Sequence, residues 1–494
     1  MKFILSIDQG TTSSRVILVN QLGEVVSSAQ QEFPQYFPDP GFVLHDPMEI
    51  FDSVVQSLKK CIESANINIH DIVSIGITNQ RETTVIWDKH TGIPVYPAIV
   101  WQSRQSEEII NRWTLQFGID FIQQKTGLVP DAYFSASKIA WILKHVEGAS
   151  LKALNGDLLF GTIDTWLMWK LSSGKIHATD VSNASRTMLF NIFDMQWDQE
   201  LLQAFGIHPS MLPKVLDSCA DFGTIDVGFC GIELPITGVA GDQQAALFGQ
   251  TCFTPGLVKN TYGTGCFMLM NIGQKPVISH NGLLTTVAWR IQGETTYALE
   301  GSVFVAGSAV QWIRDQLGFL PTASDSETIA AKVDDNGGVY FVPAFVGLGA
   351  PYWDQDARGA FFGLTRGSTK AHLTRAVLES MAFQTRDVMQ LMQMESDLPI
   401  QEVFVDGGAA NNNLLMQFQA NQLQCKVNRP QNTESTALGA AFLAGLHSGV
   451  WKDLEEVHQM RKVDKVFSPN CEVGSADSLY HRWNLAVEAC RHFK

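Results

Sequence analysis

The sequence predicts an α/β fold in two halves that face each other across a cleft. Three observations carry this. Short β-rich runs recur ahead of glycine-rich turns, as in "KFILSIDQG", "IVSIGITNQRE", "PITGVAGDQQ", "LVKNTYGTGCFMLM", "VYFVPAFVGLGAP" and "EVFVDGGAANN". Between them lie segments with helical spacing: in "AHLTRAVLESMAFQTRDVMQLMQ", Leu373, Ala376, Val377, Ser380, Met381, Gln384 and Val388 recur three and four apart. Strands and helices that interleave in this way define the α/β class. The third observation is an internal echo. Ile4 to Ser14 runs strand, Asp8, Gly10, small polar residues, and Val403 to Asn413 runs strand, Asp406, Gly407, Gly408, small polar residues. Two domains on one plan would bring both polar turns to the same place; chance similarity of two short turns would give the same residues.

Taken in order, "ILSIDQGTTSSRVILV", Ile4 to Val19, is two apolar β-rich segments around a polar insert, which reads as a hairpin. Its residues Gly10, Thr11, Thr12, Ser13 and Ser14 offer closely spaced backbone N–H groups and hydroxyls that suit phosphate oxygens. Asp8 beside them suits Mg²⁺ held through water. A solvated hairpin turn is the alternative. In "GITNQRE" a predicted buried strand ends in Asn79, Gln80, Arg81 and Glu82. Side chains alternate along a strand, so neighbouring charges share a cleft only where the strand gives out. There they offer donors and acceptors to a polyhydroxy ligand, or else form an ordinary salt-bridged loop. In "GVAGDQQAALFGQ", Asp242 and Gln243 follow Gly238 and Gly241 at the start of a predicted helix, Gln243 to Phe248. Asp242 serves there either as an N-cap or as a general base on a hydroxyl. Pro255 and Gly256 interrupt the pattern in "FGQTCFTPG", which puts a boundary near residue 250 and divides the chain into 1–250 and 251–494. "NTYGTGCFMLM" then repeats the hairpin design with Gly263, Thr264 and Gly265.

Composition narrows the function. The 494 residues are 45% hydrophobic and 17% charged, which suits two or three folded domains. Thirty-five basic residues against 50 acidic ones give a net charge of −15, and no basic run marks a nucleic-acid arm. A phosphate ligand would therefore need backbone amides or a metal ion, since the bulk charge repels it. The eight cysteines are scattered without metal-ligand spacing, as expected of buried, reduced thiols. The start "MKFILSIDQG" is too short in its apolar part for a signal peptide, so a cytoplasmic location is expected. The charge-free stretch from Asn336 to Trp353 contains Pro343, Pro351 and several glycines, a pattern of turns and strands and not of a membrane helix. There is no G-x-x-x-x-G-K-[ST], and no G-x-G-x-x-G that follows a strand and opens a helix.

Read together, "DQGTTSSR", "GITNQRETTVIWD", "AIVWQ", "GTIDTWL", "NASRTMLFNI", "AGDQQAALFGQ", "NTYGTGCFML", "ALEGSVFVAGSAVQWIRD", "PAFVGLGAPYWD", "RGAFFGLTRG", "VDGGAANNNLLMQFQA" and "TALGAAFLAG" resemble the FGGY carbohydrate kinase family of the actin-like ATPase superfamily. The resemblance covers nearly the whole chain, and "NQRE", "AGDQQAALFG" and "YGTGCF" are similar to its glycerol-specific branch. It implies two ribonuclease-H-like domains facing across a catalytic cleft. It also implies an ATP:glycerol 3-phosphotransferase that uses Mg²⁺ and forms sn-glycerol 3-phosphate.

The same resemblance implies roles for residues. Arg81, Glu82, Tyr133 and Asp242 would hold the polyol hydroxyls with Gln243 nearby, while Trp101 and Phe267 cover the carbon chain. Thr11, Thr12, Ser13 and Arg15 of the first hairpin and Thr264 of the second would lie close to the ATP phosphates. Gly307, Gln311, Gly408 and Asn412 would line the nucleotide side, Asp8 and Asp242 would hold the metal, and Asp242 would be the general base. Partners would be glycerol and ATP, without nucleic acid or membrane insertion, in a homodimer or homotetramer. Some positions depart from the family. Phe42 and Leu44 stand where many relatives carry Trp and Glu, and Asn411 replaces the usual Ala. The acidic segment Asp226 to Glu233 lacks the basic, glycine-rich loop with which some bacterial members bind a phosphorylated sugar regulator, so that control is not expected. The alternatives are a family kinase for another polyol or ketose, and an actin-like ATPase without a sugar substrate.

Overall fold

A computed structural model describes residues 1–493. At its centre is a thirteen-stranded sheet in which one topology occurs twice. In the N-terminal half, β1 (Phe3–Gln9), β2 (Ser13–Asn20) and β3 (Val25–Glu32) form an antiparallel meander. Then β4 (Ile72–Asn79) pairs in parallel with β1, and β5 (Leu234–Gly241) in parallel with β4. In the C-terminal half, β6 (Leu257–Tyr262), β7 (Cys266–Gly273) and β8 (Glu294–Val303) form the meander. There β9 (Glu402–Asp406) runs parallel to β6, and β10 (Lys426–Pro430) parallel to β9. The orders β3-β2-β1-β4-β5 and β8-β7-β6-β9-β10 are the same, which is the doubled ribonuclease-H-like plan. One added strand on each half, Cys219–Ile225 and Leu284–Ile291, joins the two sheets at the pair Cys219 and Ile291, and a thirteenth strand, Val463–Phe467, runs antiparallel to β10 at the C-terminal edge.

The internal echo is therefore real, but its matching segments differ from those expected. The counterpart of Ile4–Ser14 is the β6–β7 hairpin, whereas Val403–Asn413 is β9 with its turn and corresponds to β4 and the turn after it. Both β1 and β9 run from apolar strand into polar turn. A short pattern of that kind does not distinguish a first strand from a fourth.

Burial follows position in the sheet. Central β1 is buried along nearly all its length, while edge strand β3 alternates half-buried with exposed residues. Six helices frame the site: α1 (Pro47–Ser64), α2 (Asp242–Gly249), α3 (Gly307–Asp315), α4 (Lys370–Ser396), α5 (Asn413–Leu423) and α6 (Ser435–His447). α1 starts where the Asp46 side chain accepts from Met48 N at 2.7 Å, and it buries Val54 and Leu58 against Ile7, Val16 and Ile75. α4 contains the whole predicted helical segment and carries Val377, Met381 and Val388 into the C-terminal core with Val258, Met268 and Leu299.

On the opposite face of the N-terminal sheet lies α6, which the chain reaches only after building the C-terminal half. Its Ala441 and Leu443 pack with Ile4, Ile17 and Ala240. The approach is backbone to backbone. A Cβ on Gly76 of β4 would lie 2.2 Å from Ala440 O, one on Gly439 would lie 1.8 Å from Ala245 O, and one on Gly249 would lie 2.0 Å from Ser435 O, so α6 meets β4 and crosses α2 at glycines that have no room for a side chain. Among the described residues no helix is long and apolar enough to cross a membrane, and all eight cysteines are free thiols, three of them half-buried.

Candidate active site

Three glycine turns gather at one end of the doubled sheet. The first joins β1 to β2, where Gly10 N donates to Ser13 O at 2.9 Å. Thr11 Oγ1 accepts from Trp101 Nε1 at 3.0 Å, Ser13 Oγ from Gln30 Nε2 at 2.7 Å, and Thr12 is exposed. Arg15 is held by Gln30 and by an ion pair with Glu434 from the C-terminal half. The second turn joins β6 to β7 and nests on the start of α3: Gly307 N donates to Gly263 O at 3.0 Å, and Ala306 N and Ser308 N donate to Thr264 O. A Cβ on Gly307 would lie 2.5 Å from Gly263 O, so only glycine fits there. Gln311 is exposed one turn further along α3. The third turn follows β9, where Gly407, at φ +85°, packs on the end of β6, Gly408 is exposed, and Asn412 caps α5 by accepting from Leu415 N at 2.9 Å.

Between the first two turns lies a polar pocket under an aromatic cover. Its floor comes from the sharp turn after β4. Glu82 sits at φ +60°, unusual for a residue with a side chain, and its carbonyl accepts from Ser135 Oγ at 2.9 Å and Thr84 Oγ1 at 3.1 Å. That bend turns two consecutive charges inward, so Arg81 and Glu82 are 2% and 1% exposed. Arg81 Nε lies 3.2 Å from Asp242 Oδ1, and its Nη2 donates to Tyr133 Oη at 3.4 Å. Trp101 meets Tyr133 edge to face at a 5.6 Å centroid distance and Phe267 at 6.5 Å. Gly241 takes the N-cap of α2, so the capping role does not fall to Asp242; its half-buried carboxylate accepts from Gln243 N at 2.7 Å and faces Arg81.

Three charged residues that sequence reasoning did not assign complete the pocket. Glu300, on β8, accepts from Arg81 Nη1 at 2.5 Å and Nη2 at 2.9 Å. Arg186 donates from Nε to Glu82 Oε1 at 2.6 Å and from Nη2 to Glu300 Oε1 at 3.1 Å, with its guanidinium over Phe134. Lys259, on β6, donates across the cleft to Gln243 Oε1, and to Thr261 Oγ1 at 3.1 Å and Phe267 O at 3.2 Å. A signal was present: a lone charge inside the apolar strands "LVKNTY" and "TYALEG" marks a buried ion in want of a partner.

The electrostatics follow from burial. Asp242 is pushed up by burial, against the pull of Arg81 and Lys259. Burial, with the charges of Asp242 and Glu434, lifts Asp8 to about 7. Burial lowers Lys259 to about 8. Glu300 goes the other way: although burial opposes it, Arg186 and Arg81 hold it down at about 2. The charge of Asp242 helps to raise Asp8, and two carboxyl groups close enough to interact in this way suit a divalent cation. Among the described residues no group of three or more His, Cys, Asp or Glu side chains is arranged to hold a metal ion.

The N-terminal domain of the FGGY family of carbohydrate kinases matches residues 3–249, and its C-terminal domain matches residues 258–448. The chain belongs to the FGGY family. Among curated relatives of this FGGY kinase, glycerol kinases of Bacillus cereus and Bacillus licheniformis are 56% and 57% identical over 494 residues, covering the whole of both chains. Among solved structures, a Plasmodium falciparum glycerol kinase with ADP superposes with a TM-score of 0.94 at 37% identity, covering 99% of this chain and 98% of that one. A gluconate kinase from Lactobacillus acidophilus, 24% identical with a TM-score of 0.89 over 99% of this chain and 98% of its own, shares the fold. In this FGGY kinase the residues expected at the polyol side, Arg81, Glu82, Tyr133, Trp101, Asp242, Gln243 and Phe267, are linked by direct contacts. Of the residues expected at the nucleotide side, Thr264 is joined to the start of α3 beside Gly307, and Gly408 is exposed directly after Gly407, which packs on the end of β6.

Proposed function

We propose that this FGGY kinase transfers the γ-phosphoryl group of ATP to the 3-hydroxyl of glycerol and forms sn-glycerol 3-phosphate. One observation carries the reading. A half-buried carboxylate, Asp242, stands 3.2 Å from a buried guanidinium, Arg81, under the rings of Trp101, Tyr133 and Phe267. The full-length likeness to glycerol kinases supports the choice of acceptor.

Arg81, Glu82 and Tyr133 bind the glycerol hydroxyls, and Trp101 with Phe267 exclude water from its carbons. Asp242, its basicity raised by burial, takes the proton from the attacking hydroxyl. Phosphoryl transfer needs alignment and charge stabilisation more than covalent help. The hairpin residues Thr11, Thr12, Ser13 and Arg15, with Thr264 opposite, supply N–H, hydroxyl and guanidinium donors to the phosphates. Gly307, Gln311, Gly408 and Asn412 line the rest of the nucleotide site. Mg²⁺, held by Asp8 and Asp242, would neutralise phosphoryl charge when bound.

We take residues 1–250 as the polyol-binding half and 251–494 as the nucleotide-binding half. The free thiols and the use of ATP support a cytoplasmic site of action. We further read the assembly as a homodimer or homotetramer, which light scattering on the purified protein measures directly. The function is tested by an ADP-coupled assay with glycerol, xylulose, gluconate or erythritol as sole acceptor, followed by ³¹P NMR of the product. Glycerol is expected to give the highest kcat/KM and a 3-phosphate. ADP release at the same rate without any acceptor would replace the reading with that of a bare ATPase.

A further inference from the structure

We infer that Glu300 and Arg186 are positioning residues that lock the polyol-binding pair Arg81 and Glu82 into register, and that Glu300 does so from the opposite half of the molecule. The inference rests on the proposed polyol site and adds the tier behind it.

Arg81, Glu82 and Arg186 belong to the N-terminal half, while Glu300 arrives on β8 of the C-terminal half. Glu300 is 1% exposed and Arg186 fully buried. Both prongs of the Arg81 fork end on Glu300, at 2.5 and 2.9 Å, so the guanidinium plane is set by a C-terminal residue. With that plane set, the third edge of Arg81, its Nε, lies 3.2 Å from Asp242. Arg186 closes the ring: its Nε holds Glu82 Oε1 at 2.6 Å and its Nη2 shares Glu300 Oε1 at 3.1 Å.

Stability does not account for this arrangement. Two buried ion pairs gain little over apolar side chains of the same volume, because desolvation offsets the attraction. Here the arrangement even leaves Arg186 Nη1 without a hydrogen-bond partner. What the ring does supply is direction. Arg81 also donates to Tyr133 and lies against Asp242, so the plane of its guanidinium fixes where those two groups meet the acceptor, and a misplacement of about 1 Å can lower turnover by about 100-fold. Because the carboxylate that presets it comes from the other half, the acceptor pocket is complete only where the two halves are docked.

The test is a double-mutant cycle on Arg81→Gln and Glu300→Gln, with Arg186→Lys alongside, each assayed for kcat, acceptor KM and ATP KM. The acceptor is the one the parent enzyme uses best, so a wrong choice of glycerol shows in the parent and a wrong positioning role shows in the variant-to-parent ratios. Glu300→Gln is expected to raise acceptor KM on the order of 10- to 100-fold, with ATP KM within about twofold of the parent. In the Arg81→Gln background the same change is expected to move acceptor KM by less than about twofold, because Glu300 acts through Arg81. Arg186→Lys keeps the charge but not the fork, and is expected to raise acceptor KM as well. Acceptor KM unchanged in Glu300→Gln, or equal effects of Glu300→Gln in both backgrounds, overturns the inference. Should Glu300→Gln not be recovered folded, Glu300→Asp, which withdraws the carboxylate by one methylene, carries the same cycle with the same two outcomes.

Discussion

Arg81 presents its Nε to Asp242 Oδ1 at 3.2 Å while both of its Nη groups are held by Glu300. The side chain assigned to the polyol and the side chain assigned to proton removal thus share one contact. A defect in either is expected to reach the other, which makes their separate roles measurable.

For Asp242→Asn, the shape of the pocket and the contact with Gln243 N survive, but the base is lost. General-base assistance is worth about 10²- to 10⁴-fold, so kcat is expected to fall by that order with little change in ATP KM. Single-turnover kinetics on the purified variant measure the loss, and near-parental turnover would remove Asp242 from the role.

For Arg81→Lys, the charge stays and the two-pronged fork to Glu300 goes. Glycerol binding is expected to weaken by at least about tenfold, since hydroxyls in a closed site are left without donors. Isothermal calorimetry with glycerol reads this directly. Unchanged affinity would place the hydroxyls elsewhere.

For pH, the informative residue lies far from the pocket. Burial lifts Asp387 to about 7 from 3.8, against the hydrogen bonds from Tyr480, Trp483 and Tyr352 that favour its charged form. A folded-state value above the unfolded one means that the folded protein binds the extra proton between those two values. The stability it contributes is therefore present at the acid end and is lost as pH rises through that window. The difference in Tm between Asp387→Asn and the parent is expected to move in favour of the variant from pH 4 to 7 and to level off above. A difference that stays constant across a calorimetric pH series would contradict it.

For Gly439→Val, the added side chain would meet Ala245 O where α2 and α6 cross. Overpacking of this kind costs about 1–3 kcal/mol or more, because neither backbone can yield without shifting a half of the molecule. Urea unfolding is expected to show a lower midpoint. A midpoint equal to the parent's would mean that the crossing relaxes freely.

Local chemistry made much of this legible in the sequence. The hairpin at Gly10 to Ser14 and its twin at Gly263 to Gly265 announce themselves by glycine and hydroxyl residues between apolar runs, and both are turns at the same end of the sheet. The bend that turns Arg81 and Glu82 inward was implied by two adjacent charges at the end of a buried strand. What stayed hidden depends on distance along the chain. Arg81 and Glu300 are 219 positions apart and Arg186 and Glu300 are 114 apart, so no local pattern pairs them. Lys259 reads as an interruption of a strand until Gln243 is placed opposite it. The misaligned echo has the same origin: strand identity is set by neighbours in the sheet, and those neighbours are remote in sequence.

The pocket's ionic inventory sets a filter on what may enter. Three cationic groups, Arg81, Arg186 and Lys259, stand against three carboxyl groups, Glu82, Glu300 and Asp242, so the enclosure is already charge-balanced. A sugar acid would bring a further charge with no free partner into a space where little water solvates it, whereas an uncharged triol leaves the balance intact. Discrimination between acceptors of similar size can then arise from the cost of burying a charge, before any difference in shape is felt.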